Sequence, residues 1–280
     1  LEIKDKTLHS IMKKYYITYK NNYLDNNYSK NFLDIYFNNS EYNAADRLNY
    51  NASTYTYGYV VNMPYENSEN KAFVGIISNY LKEFMSVSNI EIKIIKYESI
   101  SELKKALISK EIDFALCNFD VKSFDDTFIL TNKAVDFEYV VLSKNHYNIR
   151  NITSLKKYKA TVVNDSYIDN ILKEKGIETI GYKNTDELMR NINEDSIIVI
   201  DKSMYKYYYN EKLKNYELLF EGKNEGYPFI VNDKNKIFAS LFSTYISIKN
   251  YKDINYLYNT NMRSTYISNN LITLLLGITL

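Results

Sequence analysis

The chain has little that could staple it and little that would interrupt it. Its 280 residues include one cysteine, two prolines, seven glycines and no tryptophan. The lone Cys117 excludes an intrachain disulfide framework but does not exclude an exported location. With two histidines beside it, the usual Cys/His zinc patterns are excluded as well. The glycines are scattered singly, so there is neither a phosphate-cradling P-loop nor a dinucleotide glycine pattern. No metal or other cofactor is expected. Neither charge is in excess, with 35 basic against 34 acidic residues. That balance, without a basic run, removes the electrostatic footprint of a nucleic-acid partner.

Tyrosine is what the chain has in quantity, 30 residues, with abundant Asn, Ile and Lys. We read this as the codon bias of an A+T-rich genome; the functional alternative is tyrosine faces that bind sugars or peptides. The length suits one or two domains with a real core. No signal peptide is visible, and a start at Leu1 without methionine suggests a piece of a larger protein. The end, Leu271 to Leu280, reads LITLLLGITL. Ten residues are too few for a bilayer, which needs roughly 20. The run is read either as the first half of a transmembrane helix or as a last core-packing helix.

Residues 1–50 read as a helical segment, with Leu8, Ile11, Met12, Tyr15 and Tyr16 and then Phe32, Leu33, Tyr36 and Phe37 at helical spacing. The apolar spacing of 8–16 matches that of 238–246, so the segment is either the tail of a preceding, similar module or an unrelated amphipathic helix. From Tyr57 strands and helices alternate. A strand at Tyr59–Val61 meets Asn62-Met63-Pro64-Tyr65, where proline ends the strand. A helix is expected from Phe73 to Met85, a strand from Ile90 to Tyr97, a helix capped by Ser99 or Ser101, and a buried strand at Phe114–Cys117. In the second half, strands are expected at 139–142, 159–163, 178–180, 196–200 and 228–231. The helix between the second and third of these stops at Gly176, the next is capped by Thr185, a third runs from Met204 to Leu213, and a closing helix begins at Ile237. Strands separated by helices imply an α/β fold with a parallel sheet.

The order of these motifs carries a resemblance over residues 51–266. Asn62-Met63-Pro64-Tyr65 comes before Gly75-Ile76, and Glu102-Leu103-Lys104-Lys105-Ala106-Leu107 leads to Lys110-Glu111-Ile112-Asp113. Ser154-Leu155-Lys156 comes before Ala160-Thr161-Val162-Val163-Asn164-Asp165-Ser166, and Ile198-Val199-Ile200-Asp201 follows. In that order the chain resembles the bacterial extracellular solute-binding protein family 3, with its type 2 periplasmic-binding-protein fold. The resemblance implies two lobes, about 54–140 with 231–266 and about 143–228, joined by two crossing strands and closing on a ligand. It implies an extracytoplasmic location, at the cell surface or in the periplasm. The expected function is a small-molecule-binding sensor module of a membrane signalling protein, tethered on its C-terminal side, with a homodimer as a candidate assembly. The alternatives are the substrate-binding protein of an ABC transporter and a lyase-type enzyme on the same fold. The ligand classes are amino acid, amine, peptide or another solute.

Candidate ligand-binding residues follow from strand ends and helix starts. Asn62 and Tyr65 would form one wall, Tyr65 resembling the family's stacking aromatic. Asn118, Phe119 and Asp120 follow the strand that ends at Cys117. Asp165 and Ser166 precede a helix N-terminus. Asp201 resembles the acidic residue that receives a ligand ammonium. Each has a plainer reading, as a turn residue, a cap or a packed ring. One departure stands out. The family's amino-acid binders carry an arginine soon after the strand that ends here at Cys117, and its fork grips the α-carboxylate. Here the stretch is Val121-Lys122-Ser123-Phe124-Asp125-Asp126-Thr127, where Lys122 is the sole cation. A standard free amino acid is therefore the less expected ligand. Cys117 and His146 form no credible nucleophile and base, and no catalytic residue is expected.

Overall fold

The computed structural model describes residues 29–249 other than 123 and 125. The expected helix at 8–16, its likeness to 238–246 as a whole and the apolar run 271–280 fall outside the described residues. The described residues divide into two units, one holding those up to Ser53 together with Glu83–Glu91 and the other holding the rest.

In the first unit, α1 (Ser29–Asn39) and α2 (Ala44–Ala52) are joined by a short turn. Asn43 and Asp46 close a reciprocal capping box at the start of α2. Phe37 packs on Tyr50 at 6.0 Å between ring centroids, and Arg47 reaches back to Asp34 at 2.5 Å.

The second unit opens with β1 (Thr54–Val60), the short hairpin of β2 (Asn67–Glu69) and β3 (Ala72–Val74), and the start of α3 (Ile76–Ser88), whose end from Glu83 is counted with the first unit. Then come β4 (Glu91–Tyr97), α4 (Ile100–Ile108), β5 (Phe114–Leu116) and the long β6 (Phe128–Ser143). Next are β7 (Lys159–Val163), α5 (Tyr167–Glu174), β8 (Glu178–Tyr182), α6 (Thr185–Asn191) and β9 (Ile197–Asp201). The unit closes with α7 (Lys202–Tyr208), the long β10 (Glu217–Asn232) and α8 (Lys236–Ile248). The strands form one sheet in the order β4-β1-β5-β10-β6-β9-β7-β8.

That sheet corrects the all-parallel expectation. β1 with β5, β7 with β8 and β7 with β9 are parallel, but β10 and β6 intervene and run antiparallel to their neighbours. The two strands span 16 residues each, far beyond the apolar cores at 139–142 and 228–231 from which they were read. The reason is compositional. Asn132, Lys133 and Asp136 interrupt the alternation in β6, and Gly222, Gly226 and Pro228 read as turn signals in β10. The ladder absorbs them as bulges between Leu218 and Phe220 and between Asn224 and Ile230. These two strands carry the chain from one lobe to the other and back, giving the expected two-lobed arrangement.

Smaller corrections have local causes. Phe73 belongs to the hairpin strand β3, not to the following helix, because Gly75 at φ +112° breaks the chain there. Ser99 is the cap of α4, its hydroxyl accepting the Glu102 N–H at 3.2 Å. Asn184, not Thr185, caps α6 through its bond from the Glu187 N–H at 3.0 Å. α7 ends at Tyr208 and continues as one π-helical turn, Tyr209–Leu213. Gly176, at φ +70°, follows α5 as expected of a C′ glycine.

One lobe's core is aromatic. Phe114 lies 4.9 Å from Tyr57 and 4.7 Å from Phe238, and Phe229 lies 4.8 Å from Phe242. The other lobe is aliphatic, built from Val140, Leu142, Leu188, Ile198 and Ile200, and it takes in Met63 from the proline turn of the first. That turn is fixed from behind. The Ile76 N–H donates to Pro64 O at 3.1 Å and the Ile77 N–H to Tyr65 O at 3.0 Å. A Cβ on Gly75 would sit 2.4 Å from Tyr65 O, in a backbone region that suits glycine. Gly75→Ala is expected to lower stability by about 1–3 kcal/mol in urea denaturation. An unchanged midpoint would show that the turn does not depend on this approach.

Candidate functional site

The C-terminal ends of β1, β5, β7 and β9 open toward the same crevice between the lobes. The crevice is drawn shut by contacts that cross it. The Tyr167 N–H donates to Asn118 O at 2.8 Å, and Phe119 forms an isolated antiparallel bridge with Ser166. The Thr185 N–H points to Val61 O at 3.4 Å, Asn184 Nδ2 donates to Glu98 O at 3.0 Å, and Lys122 pairs with Glu174. With Met63 seated among aliphatic side chains of the opposite lobe, both backbone and apolar contacts hold this closure.

Behind these contacts lies a cavity of about 460 Å³ counted out to its mouth, of which about 30 Å³ can take the centres of water molecules. That is room for about two waters. Val60, Ile100, Val163, Ile168, Val199 and Met204 give it apolar walls, and Asn62, Asn118, Ser166, Thr185, Asp201 and Tyr227 supply polar groups.

Asp201 dominates the electrostatics. It ends β9, is 4 % exposed, and caps α7, Oδ1 accepting the Ser203 N–H at 2.7 Å and the Tyr65 hydroxyl at 3.1 Å. Its other oxygen, Oδ2, is buried with no hydrogen-bond partner among the described residues. Burial outweighs the donors around it, from the Ser203 and Met204 backbone and the Tyr65 and Ser203 hydroxyls, and pushes the carboxyl up to about 7. Tyr227 stands beside it, and burial together with the Asp201 carboxyl holds its phenol well above the ordinary range. The Tyr227 ring is edge-on to Tyr65 at 6.4 Å and lies 4.8 Å from Phe137. A second orphan is Thr185 Oγ1, also buried without a partner.

No protein-family model and no curated protein sequence matches this chain. Solved structures do match its architecture. An ancestral arginine-binding protein bound to glutamine superposes with a TM-score of 0.63 at 14% identity, over 73% of this chain and 97% of that one. The periplasmic domain of BvgS from B. pertussis gives 0.65 at 16%, over 83% of this chain, which spans 49% of that domain's length. An arginine-transport periplasmic binding protein from Legionella pneumophila gives 0.60 at 18%, over 73% of this chain and 99% of that one. This is the type 2 periplasmic-binding-protein fold.

Within that fold the candidates named from the sequence part into two groups. Asn62, Asn118, Ser166 and Asp201 line the cavity. Ser166 is also the cap of α5, its Oγ accepting the Asp169 N–H at 3.2 Å. Tyr65, Phe119, Asp120 and Asp165 are not among the lining residues. The Tyr65 ring is fully buried and meets the site through its hydroxyl on Asp201, so it braces the acid instead of offering a face to a ligand. Phe119 is buried in the first lobe and stacks on Phe124 at 5.8 Å. Asp120 accepts the Lys122 N–H at 3.1 Å as a turn residue. Asp165 takes a left-handed φ of +58°, its N–H held by Asp169 at 2.9 Å.

Thr185 and Tyr227 were missed by sequence reasoning. Thr185 is expected from the sequence as a helix cap, and Tyr227 lies one residue before the expected strand at 228–231, whose true start at Glu217 brings Tyr227 into β10. Cys117 and His146 line nothing here. Cys117 is buried, with its thiol pushed up to about 12 by burial, and the exposed His146 ring sits 2.7 Å from Glu217. Among the described residues no group of three or more His, Cys, Asp and Glu side chains is placed to hold a metal ion.

Proposed function

We propose that this chain is an extracytoplasmic solute-binding module that closes on a small molecule between its lobes and serves as the sensor part of a membrane signalling protein. The observation that carries the binding reading is Asp201, a buried acid with one oxygen left without a hydrogen-bond partner among the described residues, which is among the residues lining a cavity at the strand ends of a two-lobed fold. An unsatisfied group of this kind costs about 1–3 kcal/mol, which a ligand donor would recover. A ligand that binds the closed form better shifts the lobes toward it, and that shift is the signal. The sensor role draws support from the likeness to the BvgS periplasmic domain; the arginine-binding structures support the rival role of a transporter's binding protein. Membrane tethering on the C-terminal side belongs to the sensor reading. No helix among the described residues is long and apolar enough to cross a membrane.

A thermal-shift screen across amino acids, peptides, amines, sugars and organic acids tests the binding reading. At least one class is expected to raise the unfolding temperature, and Asp201→Asn is expected to weaken that ligand about 10- to 150-fold, the equivalent of one hydrogen bond to a charged group. An Asp201→Asn protein with wild-type affinity would refute the role given to this residue. The lyase reading has one observation in its favour, since burial raises the Asp201 carboxyl to about 7, so that it can exchange a proton near neutral pH. Recovering the ligand unchanged after long incubation is the result expected of a binding module; a chemically altered ligand would establish the enzyme instead.

A further inference from the structure

Alternate residues of the proline turn reach across the cleft with no ligand between them. Val61 O accepts the Thr185 N–H at 3.4 Å, Met63 joins the aliphatic core of the second lobe, and the Tyr65 hydroxyl donates to Asp201 Oδ1 at 3.1 Å. Met63 differs from the other two in what it buries. Among the described residues, every other buried side chain of that core comes from position 140 or beyond, so Met63 is its one member from the first lobe. It is 1 % exposed and is not among the residues that line the cavity. Its own lobe holds the turn from behind, through the bonds from the Ile76 and Ile77 N–H groups, so little freedom is lost when the side chain docks. An unbranched, polarizable methionine also suits such a seat, because it fills irregular gaps between aliphatic neighbours.

Parting the lobes would return Met63 and the aliphatic surface it covers to water. Against this stands the hydration of two oxygens, Asp201 Oδ2 and Thr185 Oγ1, which are buried without a hydrogen-bond partner among the described residues. By magnitude the buried methionine offsets one of them. The crossing bonds from the Tyr167 N–H, Asn184 Nδ2 and the Tyr65 hydroxyl tip the sum toward closure. We propose that Met63 is an interlobe latch that keeps the cleft shut in the absence of any ligand, so that the resting state of the module is closed. On the binding reading above, a ligand then tightens a state already populated, and its entry waits on release of the latch.

Spin labels on Lys105→Cys in α4 and Lys175→Cys at the end of α5, both exposed and one in each lobe, report the separation of the lobes; the native Cys117 is buried. The measurement is a pulsed-EPR distance distribution on the 280-residue chain, with native mass spectrometry to show that no small molecule is bound. With Met63 in place, the longer, parted distance is expected in no more than about one molecule in ten. Met63→Asp is expected to raise that population at least about 5-fold, and Met63→Leu to leave it within about 2-fold. Where unfolding curves show that Met63→Asp does not fold, Met63→Gln, which keeps the length of the side chain, takes its place. A ligand-free protein found mostly at the longer distance overturns the proposal. So does a folded Met63→Asp or Met63→Gln protein whose distribution matches that of the wild type. Failure of both variants to fold would make Met63 a folding-core residue instead of a latch. No ligand enters this test, so its failure would leave the solute-binding reading standing, and a thermal-shift screen silent in every class would leave the latch standing.

Discussion

Phe229→Ala is expected to cost about 3–5 kcal/mol in urea denaturation, the range for emptying a large buried aromatic site. Phe229 is fully buried on β10 and is ringed by Tyr57 at 6.2 Å, Phe114 at 6.3 Å, Tyr80 at 6.4 Å and Phe242 at 4.8 Å. Its backbone is anchored as well, pairing with Leu116 of β5 and donating to Thr131 Oγ1 at 2.9 Å. The site is therefore walled by rings from several elements that cannot all collapse inward, so most of the cavity should persist. Leu218→Ala on the same strand, at a residue 37 % exposed, is the matched control and should cost far less. Equal losses in the two variants would show that this aromatic cluster is not the energetic centre of its lobe.

A second large effect is a fall in stability as pH rises from about 5 to 9. Burial raises Glu66 from 4.5 to about 8 and Asp201 from 3.8 to about 7. In the unfolded chain both carboxyls ionise near their ordinary values, so between those values and the raised ones the folded protein holds protons that the unfolded one has released. The stabilisation is complete below about pH 4 and is lost as pH climbs through 7 for Asp201 and 8 for Glu66. Glu66 faces the Tyr57 hydroxyl, with Tyr59 also near, while Tyr65 and Tyr227 face Asp201. The Tyr57 and Tyr227 phenols are held well above their ordinary range and remain protonated throughout. Glu66→Gln keeps an acceptor for Tyr57 and removes the titration. It should raise the unfolding free energy at pH 9 relative to wild type, by on the order of a few kcal/mol, and leave it nearly unchanged at pH 4. Parallel pH profiles for variant and wild type would rule out this assignment.

Much of the fold could be read from the sequence because its central strands are short and uninterrupted. Lys159–Val163 was placed to the residue, and Asp201 was placed at the end of an apolar run by the same logic. The long crossing strands were cut short for a physical reason. Polar residues and glycines in the middle of β6 and β10 mimic turns, and what keeps them extended is pairing between segments some 90 residues apart, such as Tyr139 with Gly222 and Phe128 with Asn232, which no local window contains. The site divided along the same line. Residues at strand ends could be assigned from position alone, whereas Tyr65 depended on where its side chain turned, and Thr185 and Tyr227 depended on elements whose limits were misplaced.

The paired strands that cross between the lobes also bear on the mechanics of opening. A connection made of two coil segments would let the lobes swing at little elastic cost, but here they are joined by a ribbon whose hydrogen bonds continue from one side to the other. Parting them must be taken up as torsion of that ribbon, and a ribbon yields first where its rungs are irregular. The irregular rungs cluster between Asn224 and Ile230, and Tyr227, the ring beside the cavity's acid, is one of them. The compliant point of the spring and the wall of the cavity are thus the same stretch of backbone, so whatever occupies the cavity presses directly on the element that sets the stiffness of the joint.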